Sequence, residues 1–144
     1  MTVAAILKHK GHEVFSVRPT DTIAEVSRHL AARRIGAVVV IDPPDQLLGI
    51  LSERDVVHAL ATNGTQALQL TAAQLMTRAI KTATPQTTAT EALTMMSSGH
   101  FRYLPVIDNG VLIGVVSIGD VVKARLDEQQ YEVENLRSYV VGGA

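Results

Sequence analysis

Two short stretches of the chain place a hydroxyl and a carboxylate at the same spacing and in the same setting. Gly49-Ile50-Leu51-Ser52-Glu53-Arg54-Asp55 returns as Gly114-Val115-Val116-Ser117-Ile118-Gly119-Asp120, and each copy is followed by two valines. The shared pattern is Gly, two aliphatic residues, Ser, two variable positions and Asp. It reads as a buried strand running into the first turn of a helix. The Ser falls at the N-cap and the Asp three residues on. The strand end therefore presents a hydroxyl, a carboxylate and unpaired backbone N–H groups in one small patch. Ser-x-x-Asp ahead of an apolar helix is also a capping signature. Cap and binding site are both open readings of each copy. Two copies in the same Gly-strand-helix context move the balance towards a site.

The elements around the two copies also repeat. Pro19-x-x-Thr22-x-x-Glu25 matches Pro85-x-x-Thr88-x-x-Glu91, Ile41-Asp42 matches Ile107-Asp108, and Val56-Val57 matches Val121-Val122. The period, about 65 residues, exceeds that of the usual solenoid repeats and indicates a duplicated unit. In the first copy, Val3 to Lys8 reads as a short helical lead and Glu13 to Val17 as a strand. A capping box at Thr22-Glu25 opens a helix with Ile23, Val26 and Leu30 on one face. Ala37 to Ile41 is an apolar strand, Pro43-Pro44-Asp45 a turn, Leu47 to Leu51 the return strand, and Arg54 to Ala61 a helix stopped by Asn63-Gly64. A linker through Gln74 leads to the second copy. There Ile80 to Ala83 replays the first strand, Thr88-Glu91 opens a helix, and Tyr103 to Ile107 and Leu112 to Val116 flank an Asp108-Asn109-Gly110 hairpin. The last helix starts near Ile118 and runs to about Tyr139, with Gly142-Gly143 fraying its end. It spaces Val122, Leu126, Gln129, Val133, Leu136 and Val140 by fours and threes, either as the inner face of a surface helix or as a seam for a partner.

Composition narrows the classes. The chain has 144 residues, 47% of them hydrophobic and 19% charged, enough apolar content for one domain or two small subdomains. No apolar run approaches the length of a membrane span, and the N-terminus does not read as a secretory signal. With no cysteine there is neither disulfide nor thiolate chemistry, which fits a cytoplasmic location. A net charge of −1 without a basic block, and only five aromatic residues, argue against a nucleic-acid surface. No nucleophile elbow, Walker loop or G-x-G-x-x-G stands out. His9 and His12 flank Gly11 and sit beside Lys8 and Lys10, a poor setting for a metal.

A duplicated β-α-β-β-α unit with Gly-h-h-Ser-x-x-Asp at its last strand-to-helix junction resembles the CBS domain pair, or Bateman module. GILSERD (49–55), FRYLPV (101–106) and GVVSIGDVV (114–122) are similar to the small stand-alone bacterial members. The resemblance covers roughly Val3 to Leu126. It implies an α/β fold of two tandem repeats, each a small three-stranded sheet packed by helices, related by a pseudo-two-fold axis. The division expected is 1–66 for the first repeat, 67–127 for the second, and 128–144 for a C-terminal extension.

The resemblance further implies adenosine nucleotides, AMP, ADP, ATP or NAD(H), bound in clefts between the repeats. Asp55 and Asp120 resemble the family's ribose-binding aspartates, since a carboxylate can accept from both hydroxyls of a cis-diol. Ser52 and Ser117 match its Thr/Ser position near ribose and phosphate. The helix-start N–H groups, including that of Ile118, favour anionic oxygens. Arg102, His100, Arg34 and Arg54 are candidates to neutralise phosphate, with Tyr103, Pro105 and Ile80 among the candidate ligand contacts. Arg33-Arg34 equally suits a helix end favoured by the dipole. The first copy has Gly36-Ala37-Val38-Val39 where the second has Arg102-Tyr103-Leu104-Pro105. His100 and Tyr103 stand where Arg and His are expected from this group, so the two clefts need not bind the same ligand. The expected function is a non-catalytic module, a homodimer, signalling energy or redox state to an unknown partner. The alternative is a structural or oligomerisation module with no nucleotide.

Overall fold

Side-chain caps set where the helices begin. In the computed structural model, which describes residues 1–142, α1 (Val3–Lys10) is capped by Thr2, α2 (Ile23–Arg33) by Thr22, and α3 (Glu53–Asn63) by Ser52. Thr71 caps α4 (Ala72–Leu75) and Thr88 caps α5 (Ala89–Gly99). Each hydroxyl accepts from the backbone N–H three residues on, satisfying a donor the helix leaves orphaned. At Thr22 and Thr88 the glutamates three residues on supply that N–H. The reciprocal bond of a full box, from the cap N–H to the side-chain oxygen three residues on, forms at Ser52 with Asp55, at Thr71 with Gln74 and at Ser117 with Asp120. The last helix, α6 (Ile118–Gly142), is one continuous rod of 25 residues, about 37 Å long at the usual rise. Gly143 of the expected frayed end lies outside the described residues.

The chain folds as two units. One is Glu13–Ile80; the other combines Met1–His12 with Lys81–Ala144. Sequence repeat and spatial unit are therefore offset, because α1 packs with the second repeat and α4 with the first.

In the Glu13–Ile80 unit, β1 (Ser16–Val17) runs parallel to β2 (Ala37–Asp42), which pairs antiparallel with β3 (Gln46–Ser52). The expected strand from Glu13 is reduced to those two residues, preceded by a bond from Val39 N–H to Phe15 O. Val17, Ile23, Val26, Val38, Val40 and Leu51 form the core, joined by Ala72 of α4 and by Met76, the residue that ends it. The segment read as a linker thus holds a 3₁₀ turn (Gly64–Gln69) and a four-residue helix whose apolar side is part of this core.

In the other unit, β4 (Tyr103–Asp108) pairs antiparallel with β5 (Val111–Ser117) through the expected Asn109-Gly110 turn. Both turn residues have positive φ, as a two-residue hairpin requires. The expected strand Ile80 to Ala83 is absent as a strand. Only Ala83 bridges to Val106, in parallel. Pro105 supplies the physical reason: it occupies the register position of Val39, and it has no N–H to donate outward as Val39 does. Leu7, Met96, Leu104, Val106, Val116 and Val121 make this core with almost no exposure.

The glycines that open the two repeated motifs mark where a helix presses on a strand. A Cβ on Gly114 would lie 2.7 Å from Leu7 Cδ2, and one on Gly49 would lie 2.6 Å from Met76 Sδ and 2.8 Å from the Thr77 carbonyl oxygen. Leu7 follows Thr2 by five residues, as Met76 follows Thr71. The segments Thr2–Leu7 and Thr71–Met76 play the same part in their respective units.

Candidate functional site

The two strand–helix junctions are built alike. At the first, Ser52 N–H donates to Asp55 Oδ2 at 2.8 Å, the Ser52 hydroxyl donates to the same oxygen at 3.0 Å, and Asp55 N–H donates back to Ser52 Oγ at 3.3 Å. At the second, Ser117 N–H donates to Asp120 Oδ2 at 2.8 Å and Asp120 N–H to Ser117 Oγ at 3.1 Å. All four groups are partly exposed. The capping reading is thus correct for both copies. These bonds converge on Oδ2 of each carboxylate, and Oδ1 takes none of them. A cap made with one oxygen leaves the other outside the capping bonds, beside a helix N-terminus.

The strand before each junction fixes its position through one further backbone bond. Glu53 N–H donates to Gly36 O at 2.8 Å, and Ile118 N–H to Arg102 O at the same distance. The structure thereby brings Arg102 and Ile118 together, while Tyr103 lies in register with Ser117. The Arg102 side chain is exposed. Pro105 is buried within β4, opposite Val115, and its carbonyl accepts from Ala83 N–H at 2.9 Å. Arg54 is exposed on the first turn of α3. Ile80 is half-buried at the end of its unit.

Arg34 and His100 occupy matching places: each terminates its helix in the left-handed conformation, at φ 53° and 56°. Both are exposed. Arg34 also lines a groove of about 480 Å³ between α2 and α3, with Ser27, Leu30, Ile35, Glu53 and Val56. Ser52 and Asp55 are not part of that lining.

One residue at the second junction escaped the sequence reading. Lys10, the last residue of α1, donates from Nζ to Asp120 Oδ2 at 2.6 Å and to Val115 O at 2.7 Å. Burial alone would disfavour the charged carboxylate. The bond from Lys10 and the N–H of Ser117 outweigh it and hold Asp120 below its ordinary value. His12 continues the edge, with Nδ1 2.9 Å from Ile113 O. In the Glu13–Ile80 unit the corresponding edge is closed by backbone instead: Ile50 and Thr77 exchange two bonds, at 3.1 and 2.9 Å. The signal that reveals Lys10 is the match of Thr2–Leu7 with Thr71–Met76, which assigns α1 to the second repeat.

Fold and junctions together define an internally duplicated α/β module with a Ser–Asp capping box closing the strand-to-helix turn of each copy. Comparison with known proteins identifies the family. The CBS domain matches residues 5–62 and again 72–127, and the chain belongs to that family. It is similar to the mitochondrial CBS domain-containing protein CBSX3 of Arabidopsis thaliana, 32% identical across 99% of this chain and 73% of that one. The crystal structure of the CBS-domain protein ATU1752 from Agrobacterium tumefaciens superposes with a TM-score of 0.85 at 42% identity, covering 87% of this chain and 99% of that one. PAE2072 from Pyrobaculum aerophilum, solved in complex with AMP, has a TM-score of 0.74 at 28% identity, over 83% of this chain and 89% of that one.

Proposed function

We propose that the chain is a non-catalytic regulatory module that binds an adenosine nucleotide at its two Ser-x-x-Asp junctions. The observation that carries this reading is the division of labour within each carboxylate. Oδ2 secures the helix start, and Oδ1 remains to accept a hydrogen bond from a ribose hydroxyl. The helix-start N–H groups favour phosphate oxygens; Arg54 is exposed on the first turn of α3, Arg102 is exposed just before β4 and bonded through its carbonyl to Ile118 N–H, and Arg34 and His100 are exposed at the ends of α2 and α5. The AMP bound by PAE2072, a relative over most of its length, supports the ligand class. AMP, ADP, ATP and NAD(H) all share the adenosine diol. On this reading nucleotide level, as a measure of energy or redox state, is relayed to a partner protein in the cytoplasm.

The same reading includes a homodimer assembled through helices. Val57 on α3 and Val122 and Leu126 on α6 are exposed apolar residues, and the α6 seam continues through Val133, Leu136 and Val140 at 49–64% exposure. A face of that length is seldom left to water. Native mass spectrometry of freshly purified protein tests the ligand claim: a co-purified mass matching an adenosine nucleotide supports it. No bound mass, and no thermal shift with any of these nucleotides, favours a purely structural module.

A further inference from the structure

The two junctions differ in one charge. Asp120 carries Lys10 on Oδ2, whereas among the described residues the carboxylate of Asp55 accepts from Ser52 alone. The difference is built into the duplication. Lys10 stands eight residues after the Thr2 cap, and the residue eight after the Thr71 cap is Ala79, which has no donor side chain. Arg78 beside it turns its guanidinium to the Ala73 carbonyl at 3.3 Å.

We infer that Lys10 is a specificity-determining residue that makes the Asp120 junction selective for anionic nucleosides. The inference rests on the proposed binding of a ribose diol at Asp120. When one ribose hydroxyl takes Oδ1, its cis neighbour competes for Oδ2, which already accepts from Ser117 N–H and Lys10, and of those two donors the side chain of Lys10 is the one that yields. The ammonium then loses its anionic partner and keeps only the Val115 carbonyl. A neutral nucleoside leaves it so. A ligand carrying phosphate supplies a new partner within reach of the flexible four-carbon stem. Displacement thus opposes uncharged ligands and is offset for charged ones. At Asp55 no ammonium has to be displaced, so that junction is indifferent to this difference.

The test compares AMP with adenosine, which offers the same diol without the charge. Titration calorimetry is run on Asp55→Asn, which leaves the Asp120 junction intact, with and without Lys10→Met. The preference for AMP over adenosine should fall at least tenfold in Lys10→Met, chiefly because adenosine binds more tightly. Lys10→Arg should retain the preference. On an Asp120→Asn background, Lys10→Met should leave the AMP-to-adenosine ratio at the Asp55 junction unchanged. An unchanged ratio on the Asp55→Asn background, or equal weakening of both ligands, would overturn the role of Lys10 while leaving the nucleotide reading in place. Absence of binding of either compound to Asp55→Asn would overturn both.

Discussion

Asp55 Oδ2 accepts from both the N–H and the hydroxyl of Ser52, at 2.8 and 3.0 Å. One carboxylate oxygen thereby seals the start of α3. Ser52→Ala removes the reciprocal acceptor for Asp55 N–H and should cost about 1 kcal/mol. Chemical denaturation should show the loss as a lower midpoint with an unchanged slope. An unaltered midpoint would mean the box contributes nothing to stability.

The glycines ahead of the two boxes should differ in their tolerance. Gly49→Ala forces a methyl against the Thr77 carbonyl oxygen, which is pinned by accepting from Ile50 N–H. Gly114→Ala meets only the end of the Leu7 side chain. Overpacking costs on the order of 1–3 kcal/mol, and Gly49→Ala should fall at the upper end with Gly114→Ala below it. Thermal unfolding of the two variants checks the order, and the reverse order would contradict the assigned contacts.

Acid should weaken the Asp120 junction only at low pH. Asp120 is held below the ordinary carboxylate value of 3.8. A carboxylate with a depressed folded-state pKa adds stability above its unfolded pKa and loses it as pH falls through the folded value. That contribution is therefore complete at neutral pH and disappears below about pH 4. Carboxyl-carbon NMR titration should place the Asp120 midpoint below 3.8 in the wild type and higher in Lys10→Met. A midpoint indifferent to Lys10 would show that the ion pair does not form in solution.

Truncation after Arg125 removes Leu126 and the rest of the exposed seam of α6. If the seam contributes to a homodimer, sedimentation should show a weaker self-association for the truncated chain than for the full chain. A full chain that sediments as a monomer at micromolar concentration would contradict the dimer. An unchanged dimer after truncation would assign it to other helical surfaces such as that around Val57.

What the sequence reveals here is what local periodicity encodes. The two Gly-h-h-Ser-x-x-Asp junctions, the Asn109-Gly110 hairpin and the threonine caps are all contained within a few residues, and each lies where the pattern places it. Relations across the chain are not encoded that way. Lys10 and Asp120 are separated by 110 residues, and nothing adjacent to either announces the other. The glycines show the same limit: their motif is plain, but its reason is Leu7 or Met76, each pressing from a segment that belongs to the other sequence repeat. α4 is too short to show a period and passes for linker. Pro105 is visible in the sequence, yet its effect falls on the neighbouring segment, where residues 80–83 make a single bridge instead of a strand.

Ribonucleotide recognition by the two aspartates is the central claim, and titration calorimetry with matched ligands tests it most directly. Charge-assisted hydrogen bonds contribute roughly 1.5–3 kcal/mol each. AMP should bind about ten- to a hundredfold more tightly than 2′-deoxyAMP, which lacks the diol. Asp55→Asn and Asp120→Asn should each lose about the same factor at their own junction, since asparagine keeps the cap and removes the charge. Wild-type affinity in both variants, with 2′-deoxyAMP competing as well as AMP, would show that the aspartates are caps and nothing more.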